Sequence, residues 1–593
     1  MAMDSVLTPS QIQPEPATEV RKHPRIWPAV GLVAFFWIAS FLMTRLELVT
    51  FIHFLSYMAI SAVLTLGFAL WWLLNRRIRR KERLLVFAVA ITGGALLSFT
   101  YHYSLGLWML IFMLPPYVCT AWTIWLLLAQ RAAARTRFVG LLSVVLLCEA
   151  AFTLIRWDGI NGDKVSEYHW RWTPTAEELY QAELAQRPQE TTKVPAGTVL
   201  ALQPGDWPGF RGPERDGVIR GARIATDWDK HPPDKRWRQR VGPGWSSLAV
   251  VDGRVFTQEQ RGSAEAVVCL DAATGGLIWS HEDETRFWEG VSGAGPRATP
   301  QFADGRLYAL GAKGILNCLD AANGERKWSR NIAAESGAKT PLWGFCGSPL
   351  VVGDVVVVFA GGDGEKQLLA YRAASGEPAW TASVGRDSYS SPHRAVLNGT
   401  EQILFWSDRG LFAVDPASGK IRWQHDAVAP GAPRSLQPNI VGAGQVLVSS
   451  EADLGTACLD VKHDKDAWAI SERWRSRQLK PSFNDFVTHN GSIYGFDGAI
   501  FCCIDLQTGE RRWREGRYGY GQVLLLADQS LLLVAAENGQ VVLLAANPDE
   551  HTELGRFPAI RGKTWNHPAF AQGRLYVRNG EEIACYDLQV DKR

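Results

Sequence analysis

Two regimes of hydrophobic patterning divide the chain. Over the first 156 residues apolar side chains come in long runs, at about 27–43, 48–74, 84–101, 105–128 and 138–155, each near the 17–25 residues that a helix needs to cross a bilayer. A cleaved leader would be one short run near the start. Five runs instead predict a domain of five transmembrane helices at 27–156, behind a cytoplasmic tail at 1–26. Beyond residue 205 the pattern changes to short alternating segments such as GRLYALGAKGILNCLD and GSIYGFDGAIFCCID, the period of half-buried strands. Between the two, 157–205 has no apolar core and reads as a connector. One short helix is expected there, in WRWTPTAEELYQAELAQR, with Thr173 as its cap, Pro174 in its first turn and Glu177 and Glu178 at the positive end of its dipole.

The strand-rich region repeats. CLDAATGGLIW ends at Trp279, CLDAANGERKW at Trp328, YRAASGEPAW at Trp380, VDPASGKIRW at Trp423 and CIDLQTGERRW at Trp513. Degenerate copies end at Trp474 and Phe557, and Trp237 precedes the series. Spacings of 39–52 residues match a four-stranded propeller blade. Asp271, Asp320, Asp415 and Asp505 precede a turn, where a carboxylate can cap the backbone, and Gly275, Gly324, Gly376, Gly419 and Gly509 supply the positive φ of a tight hairpin. The aromatic then falls on the outer strand, where it fills the gap between blades. Eight such aromatics predict an all-β eight-bladed propeller at 206–593. The chain ends on a copy that lacks an aromatic, so the strand around Trp237 is expected to complete the last blade and leave no open sheet edge.

Charge orients the apolar runs. The net charge of +2 conceals 14 basic and 6 acidic residues in 1–156 against 48 and 54 in the remainder. The basic residues of the first part gather before the first run (Arg21, Lys22, Arg25), after the second (Arg76 to Arg83) and after the fourth (Arg131, Arg135, Arg137). Basic loops stay in the cytoplasm, so we expect a multi-pass inner-membrane protein with a cytoplasmic N-terminus and a periplasmic propeller. The acidic excess of the soluble part argues against nucleic acid as a partner. Glu149, inside the fifth run, is a functional candidate because intramembrane acids are costly.

The Asp-x-x-Thr-Gly-x-x-x-Trp unit resembles the repeat of pyrroloquinoline quinone (PQQ) propellers, and GDWPGFRGPERDGV at 205–218 resembles the lead-in of bacterial PQQ-like repeat proteins. That superfamily holds quinoprotein alcohol and sugar dehydrogenases, with PQQ and Ca²⁺, and non-enzymatic BamB-type scaffolds. The resemblance covers about 200–593 and implies the fold; the same ring serves both functions. For the enzyme, the resemblance implies membrane-bound oxidation of an alcohol or sugar with electrons passed to quinone. Against it, Asp206-Trp207 is followed by Pro-Gly-Phe-Arg-Gly, which breaks the dehydrogenase spacing, and no Asp–Asn–Glu calcium set is evident. Cys502-Cys503 is a tempting vicinal pair, but Cys503 shares its blade position with Cys269, Cys318, Cys458 and Cys585, as a small core residue would. We therefore expect a scaffold binding a protein or a small ligand, without a cofactor, with a PQQ dehydrogenase as the alternative.

The expected site is the funnel lined by the innermost strands. The segments leading into them offer Trp245, Arg297, Trp343, Tyr389, Arg434, Asn484, Tyr520 and Trp565, aromatics and guanidiniums suited to an anionic or planar ligand or a peptide. Were the protein an enzyme, Asp485 would be the first candidate base and His567 the second.

Overall fold

The computed structural model describes residues 25–588 apart from 47–49, 163–164, 187–193, 196, 427–432, 452–453 and 466. The expected tail, except Arg25 and Ile26, lies outside them. The chain divides into two units, 1–156 with 169–171 and 157–168 with 172–593.

Among the described residues the first unit contains five α-helices: α1 (Trp27–Arg45), α2 (Thr50–Leu74), α3 (Arg80–Leu97), α4 (Gly106–Leu128) and α5 (Ala134–Phe152). Their basic ends are tied together by indoles. Trp71 donates to the Arg25 carbonyl (3.1 Å), Trp72 to that of Arg83 (2.9 Å) and Trp125 to that of Arg137 (3.0 Å). At the other end Arg171 donates to the carbonyls of Thr100 and Thr153 (2.9 and 3.2 Å), just beyond α3 and α5. The five-span expectation is corrected: among the described residues three helices, α1, α2 and α4, are long and apolar enough to cross a membrane. The physical reason is charge. α3 opens on Arg80, Lys81, Glu82 and Arg83, while α5 carries Arg135, Arg137 and Glu149. α4 runs through Pro115 and Pro116, and Glu149 is buried against Gly93 of α3, where a Cβ would lie 2.4 Å from its Oε2.

Among the described residues the second unit holds eight antiparallel blades of four strands, at 249–283, 301–331, 350–382, 393–425, 439–476, 487–517, 522–558 and 569–587, the seventh joined by a further parallel strand and the last completed by Asp234–Arg240. That strand pairs with Glu582–Asp587 and sets Trp237 opposite Cys585. The ring is closed as the repeat implied.

The repeat does more than form hairpins. In six of the blades the outer indole reaches the turn of the next blade: Trp237 donates to the Ala272 carbonyl (3.1 Å), Trp279 to Ala321 (3.2 Å), Trp328 to Ala373 (3.0 Å), Trp380 to Pro416 (2.8 Å), Trp474 to Leu506 (3.0 Å) and Trp513 to Asn547 (3.0 Å). The same indole lies flat on that turn's glycine. A Cβ on Gly275, Gly324, Gly376, Gly419 or Gly509 would stand 2.5–2.8 Å from the Trp of the preceding blade. These glycines are thus required twice, for φ near +75° and for the absence of a side chain. The cysteines share the logic from the other side. Cys269, Cys318, Cys458, Cys503 and Cys585 each sit opposite the outer Trp of their own sheet, where a small residue leaves room for an indole. Cys502 and Cys503 fall in different core clusters, on opposite faces of one strand, and both are free thiols. Blade five departs from the rule: its last two strands, Gly455–Asp464 and Ala467–Ser476, form a longer hairpin, and Trp423 bonds Gln402 instead (2.9 Å).

The connector is more structured than its composition implied. Helix α6 (Ala176–Gln186) is capped by Thr175, not Thr173: the Thr175 hydroxyl accepts from the Glu178 amide (3.1 Å) while the Glu178 carboxylate accepts from the Thr175 amide (2.7 Å), a reciprocal capping box. Its Tyr180 donates to buried Glu259 (2.7 Å) and its Glu177 pairs with Arg286 (2.6 Å), which fastens the helix to blade one. Ile160 and Gly162 also touch the propeller: Gly162 N donates to Glu537 (2.5 Å) and Lys563 to the Ile160 carbonyl (3.0 Å).

Candidate functional site at the propeller axis

Residues 206–217, DWPGFRGPERDG, enter the ring from the side of the turns at Asp252 and Gln572, which carry bonds to Asp206, and continue across the axis. They touch every blade. Trp207 exchanges two backbone bonds with Val250 of blade one (2.7 and 2.8 Å), and the Pro208 carbonyl accepts from Phe302 of blade two (2.8 Å). Arg215 donates to the Pro349 carbonyl at the head of blade three (2.9 Å), and His393 of blade four meets the Glu214 carbonyl (3.1 Å). Arg211 donates to Asn439 of blade five (2.9 Å) and to the Phe486 carbonyl of blade six (2.6 Å). Gly217 accepts from Leu525 of blade seven (2.9 Å), and Phe210 stands edge-on to His567 of blade eight (5.0 Å). Val218–Ile219 then adds a parallel fifth strand inside blade seven.

Arg211 is the electrostatic centre. It is fully buried and pairs with Asp485 at 3.2 Å; His567 Nε2 lies 3.3 Å from the other Asp485 oxygen. Burial alone would raise the Asp485 carboxyl, but Arg211 and then His567 outweigh it and hold it below the usual range. Burial also pushes the His567 imidazole down despite Asp485, so the ring is neutral. His393 is pushed down to about 4, chiefly by burial and then, against its two carbonyl contacts, by Arg215 and Arg211. Arg211 and Arg215 both take left-handed backbone conformations (φ +59° and +55°), a cost tolerated only where surrounding contacts fix the chain.

The sequence-derived candidates separate into two groups. Asp485, His567 and Asn484 are buried within the ring, and Asp485 and His567 do come together, with Asp485 paired to Arg211 on its other oxygen. The rest line the mouth. Trp245 stacks near Trp565 (4.9 Å), Phe483 touches Trp565 and Tyr520 (5.0 and 5.4 Å), and Trp343 packs on Tyr389 (4.9 Å). Both guanidiniums are already paired, Arg297 with Glu289 (3.1 Å) and Arg434 with Asp387 (3.5 Å). Glu537 accepts from the Trp565 indole (2.8 Å), and Glu451 from Ser482 (2.9 Å) and Tyr520 (3.3 Å). The mouth thus offers aromatic faces and acids rather than the cationic groups an anionic ligand would need. Sequence reasoning missed Arg211, Arg215, His393, Glu451 and Glu537. The signal for the arginines was present, because two arginines amid Gly and Pro in a short lead-in have few folded roles other than a buried plug.

Against this geometry the comparisons are informative. A family model described as outer membrane protein assembly factor BamB matches residues 224–344 and 264–515. Together the two matches span 224–515 and mark that part of the chain as similar to PQQ-like, BamB-type propeller repeats. An outer membrane protein assembly factor BamB of Burkholderia pseudomallei is 24% identical over 353 residues, 55% of this chain and 83% of that protein. A quinohemoprotein alcohol dehydrogenase of Pseudomonas putida is 32% identical over 137 residues, 22% of this chain and 18% of that enzyme. Among solved structures, BamB of Moraxella catarrhalis aligns with a TM-score of 0.45 at 15% identity, over 61% of this chain and 99% of that one.

Calcium takes carboxylate and amide oxygens; of the acids here, Asp485 is held by Arg211 and His567, and Glu289, Glu451 and Glu537 each accept from protein donors. Among the described residues no three His, Cys, Asp or Glu side chains converge to hold a metal.

Proposed function

We propose that this chain is a membrane-anchored, extracytoplasmic scaffold whose propeller mouth binds a protein partner, and that it is not a dehydrogenase. The observation that carries this reading is the lead-in that crosses the axis with bonds to all eight blades. Half-exposed Trp245, Trp343, Phe483 and Trp565 with neighbouring acids favour a peptide surface with apolar and basic side chains. The BamB likeness supports a protein partner. The basic ends of the helices meet at one end of their unit and the chain leaves it from the other, past Thr153, which supports a cytoplasmic N-terminus and a propeller across the membrane. The competing dehydrogenase assignment draws on the 32% match over 137 residues.

The test uses the full chain in detergent. Incubation with PQQ and Ca²⁺ is expected to give no stoichiometric cofactor absorbance and no dye reduction with alcohols or sugars. An envelope protein retained on the wild type is expected to be lost from W245A/W565A. Stoichiometric PQQ uptake with turnover would overturn the proposal.

A further inference from the structure

Between blades one and two lies a second buried polar cluster, away from the axis. Glu265 and Asp283 face each other directly across adjacent strands of blade one, an arrangement that is unfavourable for two like charges. Asn317 of blade two donates its amide to Asp283 at 2.5 Å. The turn at Gly311 carries the Ala312 amide, which donates to Glu265 Oε2 at 3.0 Å, and a Cβ on Gly311 would lie 2.4 Å from that oxygen. Glu265 is 5% exposed and Asn317 2%, yet Glu265 Oε1 and Asn317 Oδ1 have no hydrogen-bond partner. Among the described ion pairs none involves Glu265, and Asp283 has only His281, at 3.7 Å. Arg297 is engaged by Glu289. Glu265 is thus a buried acid beside a partly exposed one, with no ion-pair partner of its own; Arg297 and Lys313 act on it only from beyond salt-bridge range, and a bound cation would compensate the pair.

We propose that this cluster binds one hard divalent cation of the calcium class, ligated by Glu265, Asp283 and the Asn317 amide oxygen, and that the ion ties blade two to blade one. Carboxylate and amide oxygens without thiolate are the ligands such an ion prefers, and its irregular coordination tolerates a site completed by solvent. With two carboxylates and one amide the set falls short of three acids or imidazoles, and His281 stands outside it. A groove of about 470 Å³ lies nearby, lined by Thr285, Lys313, Ile315 and Asn331; Thr285 and Ile315 are each two residues along the chain from a proposed ligand. The site is independent of the mouth and of PQQ.

The full chain in detergent, stripped with EGTA and without added PQQ, would be titrated with Tb³⁺ under tryptophan excitation and competed with Ca²⁺; ⁴⁵Ca²⁺ dialysis counts sites. One saturable site per chain is expected, displaced by Ca²⁺ and weakened at least tenfold in E265Q and in D283N. EGTA should lower the unfolding temperature of the wild type and leave that of both variants unchanged. Absence of saturable uptake by the wild type would overturn the proposal, whatever the fate of the variants. So would uptake that both folded variants retain. A pH-dependent unfolding temperature abolished by E265Q, without cation uptake, would assign the pair to a shared proton and equally overturn it.

Discussion

Replacing Arg211 with methionine preserves much of the side chain's volume and removes its charge. The change strands the Asp485 carboxylate, 3.2 Å away in the wild type, and leaves Asn439 Oδ1 and the Phe486 carbonyl without their donor. Breaking a buried ion pair from one side costs about 3–5 kcal/mol. The loss falls on the segment that crosses the axis, so the local readout is amide exchange across 206–219. At about 1.4 kcal/mol per tenfold, exchange there should accelerate by more than about 100-fold. Because most of the cost is the orphaned charge, R211M/D485N should be more stable than R211M by at least about 1 kcal/mol, a coupling that independent sites would not show. Hydrogen exchange read by mass spectrometry on wild type, both single variants and the double variant closes the cycle. An acceleration below about fivefold in R211M, or no rescue by D485N, would refute the ion pair as the lock of the plug.

Other consequences are measurable. G324A adds a methyl 2.6 Å from Trp279 at φ +77°, whereas G353A meets nothing within 4 Å at φ +56°. Both bear left-handed strain of about 1–2 kcal/mol, so G324A should lower stability in urea by at least about 1 kcal/mol more than G353A, and equal costs would remove the indole contact from the account. Trp237→Ala should cost about 3–5 kcal/mol, because the side chain is buried in the seam that joins the two ends of the ring; a loss under about 1 kcal/mol would mean the seam is not closed. For pH, His393 is held down at about 4, so its neutral form is favoured in the folded state. Above the unfolded value of about 6.5 it contributes no pH dependence; as pH falls from there towards 4 the unfolded chain takes up the proton and stability drops by about 3 kcal/mol. Depressed Asp485 adds a loss at still lower pH. H393Q should flatten the first of these transitions in an unfolding-temperature series, and an unchanged profile would assign it elsewhere.

The ring was legible because its repeat is governed by local physics: an aspartate-capped turn, a left-handed glycine and an indole recur at a blade's spacing, and each constrains its own hairpin. What the glycines and cysteines do for the indole was not legible, since that contact joins residues about 40 apart across a blade boundary or across a strand pair. Apolar run length placed the helices, but it overstated the number apolar enough to span a bilayer, because α3 and α5 hold their charge at or near helix ends that a run-based view discounts. The axis was least legible. Asp485 and His567 were found as chemistry-bearing residues, but Arg211, the partner of Asp485, lies 274 residues before it, in a lead-in whose composition suggests a loop and whose contacts are set only once all eight blades exist.

The central claim, that the chain closes its own propeller axis, is most directly tested by an experimental density map of the full protein in detergent or nanodiscs. Continuous density for 206–217 across the axis, with Arg211 against Asp485 and Arg215 at the head of blade three, is the result expected. An open axis with 206–217 lying elsewhere, or a quinone cofactor in its place, would contradict it.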